Sequence, residues 1–314
     1  MRWMQRGLVT TIIPAYNRAA LLREAVASVH AQTYRPIEII VVDDGSTERW
    51  DVDATVIRIE NSGPGAAREA GRQRANGEFI QYLDSDDRLL PQRFEKLVAA
   101  LRDDPDAGVA YGMTRYVDAN GAEMPPSWKD PNQRQRTMFP SMLRERWWDT
   151  PSPLYRRSVT DAAGPWTTLR REEDWEYDAR IAALGTKLVF VPEVLVEVRM
   201  HADSLTRGEA QLRDRARAHA LIYEHARRFG IGDDAPEMQH FARELFLLAR
   251  QCGAAGLANE SRTLFALARE ASGTGGARLQ FRLYALLARI AGWSTMGKAS
   301  AALDRLRGHR SSRW

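Results

Sequence analysis

Residues 36–47, PIEIIVVDDGST, decide the fold. Ile37 to Val42 is β-branched at every position but Glu38, the composition of a strand buried on both faces. Such strands belong to parallel sheets covered by helices. Upstream, LVTTII (8–13) reads as another strand, and residues 18–31 place Leu22, Val26 and Val29 on one helical face. Downstream come ATVIRI (54–59), a helical pattern over 64–76, the strand EFIQYL (78–83), and a helix from Pro91 to about Arg102 with proline at its start. This alternation predicts an α/β fold with a mostly parallel central sheet flanked by helices. Ligands of such sheets sit beyond the carboxyl ends of the strands. Two acidic clusters fall there: Asp43-Asp44, and Asp84, Asp86 and Asp87 within LDSDD (83–87).

The pattern then changes. Residues 104–170 are rich in Pro, Trp and Arg and predict loops and short strands. Trp147-Trp148, Trp166 and Trp175 suit either stacking on a sugar face or packing beneath those loops. Residues 171–184 read as a helix, and KLVFVP (187–192) and VLVEVRM (194–200) as two strands. From about Gly208 the chain is helical, and residues 241–271 read as a helix, a glycine-containing turn and a second helix. We therefore expect a domain over 1–207 and an α-helical C-terminal extension over 208–314.

Composition narrows the function. The 314 residues are 44% hydrophobic and 27% charged, ordinary for a globular protein. The single Cys252 allows no intrachain disulfide and fits a reducing compartment. No apolar run reaches the roughly 18 residues of a membrane span. The N-terminal apolar run ends at Pro14 with no small-residue cleavage site, so the expectation is a cytoplasmic protein. The net charge of +4 is uneven: residues 208–314 carry 17 Arg+Lys against 10 Asp+Glu, or +7, which leaves −3 for the first 207. Carboxylate clusters in an acidic half argue against a nucleic-acid enzyme. The basic tail permits contact with an anionic membrane surface, above all through ARLQFRLYALLARIAGW (277–293); ordinary packing of that helix is the other reading.

Each motif has two readings by itself. VVDDGST (41–47) suits a ligand edge or an Asx-type turn. NSGPGAAR (61–68) suits anion binding at a helix start, with Arg68 one turn in, or a plain Gly/Pro helix start. The closely spaced oxygens of DSDD (84–87) suit a hard divalent cation, or a solvated turn. RREEDWEYDAR (170–180) offers a general base, or acids placed favourably on a helix dipole. His201 is a lone histidine after a strand, a structural residue or a metal or phosphate contact.

Taken in order, these motifs resemble the family 2 glycosyltransferases of GT-A (Rossmann-like) fold. The resemblance covers about residues 8–206 through TIIPAYN (11–17), VVDDGST, NSGPGAAREAG (61–71), GEFIQYLDSDD (77–87) and REEDWEYDAR (171–180). It implies inverting, metal-dependent transfer of one sugar from a nucleoside-diphosphate sugar, a UDP- or dTDP-sugar, to a carbohydrate or lipid-linked hydroxyl acceptor in bacterial surface polysaccharide or glycoconjugate synthesis. Pro14, Ala15, Tyr16, Asn17, Asp43 and Asp44 would cradle the base and ribose. Arg68, Asp84 and Ser85 would also meet the donor. Asp84, Asp86 and Asp87, with His201, would hold Mn²⁺ or Mg²⁺, and Asp174 would be the catalytic base.

The chain departs from the family in three ways. Glu69 follows Arg68 where asparagine is usual, TERWDVDA (47–54) is too short for the usual intervening helix, and no Gln-x-x-Arg-Trp motif is present. Two rivals stand beside this reading. A dehalogenase-type phosphatase would place Asp-x-Asp on its first strand with Thr or Val where Arg88 stands. A non-catalytic nucleotide-sugar-binding module would not require Asp174.

Overall fold

In the computed structural model, which describes residues 4–125, 132–200, 209–273 and 278–306, the chain forms β1 (Gln5–Ala15), α1 (Ala19–His30), β2 (Ile37–Asp43), β3 (Thr55–Arg58), α2 (Pro64–Arg72), β4 (Gly77–Tyr82), β5 (Arg88–Leu89) and α3 (Arg93–Asp103). It continues through β6 (Ala107–Val117), β7 (Glu123–Met124), β8 (Pro153–Arg156), α4 (Arg157–Ala163), α5 (Glu173–Ala183) and β9 (Lys187–Arg199). Helices α6 (Glu209–Phe229), α7 (Pro236–Ala254), α8 (Ala258–Ala271), α9 (Arg278–Ala291) and α10 (Trp293–Leu306) complete it. His201 lies outside the described residues.

The described residues fall into two compact units. One holds the sheet and α1 to α5; the other holds α6 to α10 together with residues 139–144, where Phe139 meets Phe229 at 5.7 Å. No helix among the described residues is long and apolar enough to cross a membrane.

One nine-stranded sheet runs β3-β2-β1-β4-β8-β6-β9-β5, with β7 paired to β6. The four strands expected from the sequence, β1 to β4, are parallel. The mostly parallel sheet expected is found: β6 and β9 also run parallel, while β8 runs antiparallel to β4 and β6, and β5 antiparallel to β9. The expected pair of strands around Pro192 is one strand, β9. Its register on β6 jumps from Gly112↔Val191 to Met113↔Val194, so Pro192 and Glu193 bulge out where a missing N–H costs no ladder bond. The stretch from Asp44 to Ala54 contains no helix, as its length predicts.

The core follows from the apolar spacing. Leu22, Ala25, Val26 and Val29 of α1 are buried, one face of a 3.6-residue period, and they share a cluster with Val9, Ile13, Phe79, Phe94, Leu97 and Leu101. Three of the four tryptophans weighed as sugar platforms, Trp147, Trp148 and Trp166, are core residues, and Trp175 is half-buried. Trp147 packs tilted and Trp148 edge-on against Tyr111, and Trp166 lies 4.0 Å from Tyr177, ring on ring.

Candidate active site

Parallel pairing brings three strand ends to one edge. Ala15 pairs with Asp43 and Ile12 with Tyr82, and just beyond them Asp44 N donates to Ala15 O (2.9 Å) and Leu83 N to Ile12 O (3.0 Å). Residues 14–17, 43–47 and 83–87 therefore converge there. Pro14 and Ala15 are buried in β1, so Tyr16 and Asn17 alone offer exposed side chains from this turn. Asn17 takes the left-handed backbone that asparagine tolerates, φ 52°. Its N–H donates to Ser46 Oγ (3.0 Å), and its Oδ1 accepts from Thr47 N and Oγ1. One residue thus clamps the Gly-Ser-Thr loop.

The two strand-end aspartates do different work. Asp43 accepts Ser46 N (2.8 Å) and pairs with Arg58 (3.1 Å), closing its own loop. Asp44 accepts Ser62 N (2.7 Å) and Gly63 N (2.9 Å), one on each oxygen. The amide of Gly63 is therefore spent on Asp44. Gly65 is needed for packing, since a Cβ there would lie 2.2 Å from Thr167 O.

Arg68 joins both ends of the acidic site. Nearly buried, it donates from Nη2 to Asp84 Oδ1 (2.6 Å) and from Nη1 to Glu173 Oε1 (2.7 Å), and its guanidinium sits 4.9 Å from the Trp166 ring centre. Burial opposes its charge, but Asp84, Glu173 and Asp174 outweigh that and raise its pKa. The same burial, with Asp174 adding repulsion and Arg68 opposing, pushes Glu173 up to about 6.

The DSDD turn closes through Asp87 N to Asp84 O (3.1 Å). Ser85 is buried, Asp86 is ion-paired with Arg18, and Asp87 Oδ1 accepts Arg199 N (2.9 Å). Burial, then repulsion from Asp86 and Asp84, holds Asp87 well above the usual carboxylate range. Asp84 is raised by burial too, with Arg68 opposing and Asp86 adding. Three crowded carboxylates with hard oxygens are a donor set that fits Mg²⁺ or Mn²⁺. Among the described residues no three His, Cys, Asp or Glu side chains form a ready-made metal cage.

Asp174 is the second residue of α5, whose N-cap residue, Glu172, lies in the left-handed region at φ 57°. Its Oδ2 meets Arg146 Nη1 (2.8 Å) and Thr150 Oγ1 (3.2 Å), and its side chain is 26% exposed. Arg146 is in turn held by Asp178 (2.8 Å), which also accepts from Trp148 Nε1 and Tyr155 OH. Wholly buried Arg93 donates to the carbonyls of Pro151 (2.6 Å) and Ser152 (2.8 Å), fixing the loop that carries Thr150. The arrangement offers an oriented carboxylate, an acidic cluster, and a buried cation between them.

Sequence reasoning missed Arg18, Arg146, Glu173 and Thr150 as site residues. Only Glu173 left a signal, its adjacency to Asp174. The arginines are hidden among 45 Lys+Arg, and their partners lie 68 and 28 residues away in the chain (86 − 18 and 174 − 146).

A family model described as "Glycosyl transferase family 2" matches residues 10–175. The chain is 28% identical over 221 residues to "Putative glycosyltransferase EpsH" of Bacillus subtilis (strain 168), covering 64% of this chain and 63% of that protein. It is 26% identical over 219 residues to "Amylovoran biosynthesis glycosyltransferase AmsE" of Erwinia amylovora, covering 64% and 79%. The chain thus spans less than two thirds of the length of the first of these relatives. The fold is similar to that of S. aureus TarS 1-349 in complex with UDP-GlcNAc, with TM-score 0.69 and 18% identity over 96% of this chain and 93% of that one. The architecture is GT-A.

Proposed function

Because this chain belongs to glycosyl transferase family 2, we propose that it moves a single sugar from a nucleoside-diphosphate sugar to a hydroxyl acceptor with inversion at the anomeric carbon. The observation that carries this reading is the chain Asp84–Arg68–Glu173, which sets the strand-end acids beside the helix start bearing Asp174. A UDP- or dTDP-sugar is the proposed donor, and the UDP-GlcNAc complex of TarS supports the former. The similarity to AmsE, an amylovoran biosynthesis glycosyltransferase, supports an acceptor in surface polysaccharide or glycoconjugate assembly.

Tyr16, Asn17 and Asp44 would receive the nucleoside, on a loop that Asn17 and Asp43 already hold in place. Asp84, Asp86 and Asp87 would hold Mn²⁺ or Mg²⁺, which when bound neutralises charge on a diphosphate leaving group. Asp174 takes the proton of the acceptor hydroxyl as that oxygen bonds to the anomeric carbon and the bond to the diphosphate breaks. Thr150 and Arg146 keep its carboxylate oriented. One base and no nucleophile give a single displacement, hence inversion.

The test is Asp174→Asn. Donor turnover should fall about a thousandfold, within the range for a positioned general base. Calorimetric UDP binding in Mn²⁺ should be unchanged. Wild-type protein that binds UDP but turns over no sugar donor would instead indicate a binding module.

A further inference from the structure

Helix α9 is anchored by one face and leaves the opposite face bare. Phe281, Tyr284 and Ala288 are buried, with Phe281 5.0 Å from Phe246 and Tyr284 5.5 Å from Phe265. The outward residues are also apolar: Leu283, Leu286, Leu287 and Ile290 are 56%, 55%, 40% and 76% exposed. At about 100° per residue, the spacing i, i+3, i+4, i+7 makes them one continuous stripe. Nothing in the packing of the helical unit requires it, because the anchoring rings lie on the other side.

Charge identifies what the stripe meets. Arg282 and Arg289 are exposed along one edge of it, and Lys298 is exposed on α10. Residues 278–303 contain four basic side chains and no Asp or Glu. A second copy of this chain brought face to face would set these cations against one another. An anionic lipid surface satisfies both features at once, taking the leucines into the headgroup–acyl boundary and pairing the arginines with headgroup phosphates. We infer that α9 is an interfacial helix that docks this protein on an anionic bilayer. On this inference the packed and the membrane-facing readings of α9 each apply to one face. The inference does not depend on the glycosyl-transfer reading.

The full chain is tested by co-sedimentation with vesicles of equal parts phosphatidylglycerol and phosphatidylcholine, and with pure phosphatidylcholine. Binding should require the anionic lipid. It should fall on the order of tenfold in Leu286→Ser/Ile290→Ser, and again in Arg282→Glu/Arg289→Glu or in high salt. Circular dichroism checks that these surface variants stay folded. The inference is overturned if wild type does not sediment, if both double variants bind as wild type does, or if the leucine–isoleucine variant merely dissociates a solution dimer.

Discussion

Arg68 is a buried cation answered by two carboxylates, and removing it strands both. Arg68→Met should therefore cost about 3–5 kcal/mol of unfolding free energy, the penalty for breaking a buried pair from one side. Urea unfolding measures it, and a cost below 1 kcal/mol, the range of exposed pairs, would mean that water already solvates the bridge. Glu173 gives the same site a pH signature. Its carboxyl binds a proton more tightly folded (about 6) than unfolded (about 4.5), through burial and then Asp174. Its contribution to stability is thus fully present below pH 4.5 and lost as the pH rises through 6. The stability of wild type relative to Glu173→Gln should decline by up to about 2 kcal/mol across that window. A pH-independent difference would place Glu173 in an ordinary environment. Arg146 acts on the proposed base itself. In Arg146→Gln/Asp178→Asn, Asp174 loses its cation and no buried carboxylate is left behind. The acidic limb of kcat/KM should move to higher pH, with kcat reduced about ten- to hundredfold. An unmoved limb with lowered kcat would reduce Arg146 to a packing residue.

Among elements, α2 is tightly seated. Gly65 packs on the carbonyl of Thr167 and Gly71 on Ile12, where added Cβ atoms would come within 2.2 Å and 2.4 Å. Gly65→Ala should force α2 away from the 167–173 segment, costing about 1–3 kcal/mol and weakening nucleotide binding by carrying Arg68 with it. A melting temperature and affinity equal to wild type would show that Thr167 simply yields. Elements also divide what can be read from a sequence. Strands β1 to β4 announce themselves as short apolar runs, with helices between all of them but β2 and β3. β5, β6 and β8 do not, because partners contributed by distant segments make them strands: Arg88-Leu89 pairs with Glu197 and Val196. β9 conceals a bulge that looks like a chain break at Pro192. The acids of the site are legible for a related reason. Clustered like charge at strand ends is a local anomaly, whereas the cations that answer it arrive from elsewhere in the chain.

For the molecule as a whole, two compact units in one chain make a single all-or-none transition the weaker expectation. The residues of the proposed donor site, from Tyr16 to Asp174, belong entirely to the sheet-bearing unit. By linkage, a nucleotide at a hundredfold excess over its Kd adds about 2.7 kcal/mol to whatever unfolds together with its site. For a unit of roughly 200 residues that is about 5–10 °C. Scanning calorimetry with UDP and Mn²⁺ should therefore show two transitions, of which only one moves. Asp84→Asn/Asp86→Asn should abolish the Mn²⁺-dependent part of that movement while leaving the other transition where it was. One transition shifting as a block would mean that the helices α6 to α10 unfold with the sheet. The helical extension would then be a structural part of the enzyme, and membrane docking through α9 would feel the state of the donor site.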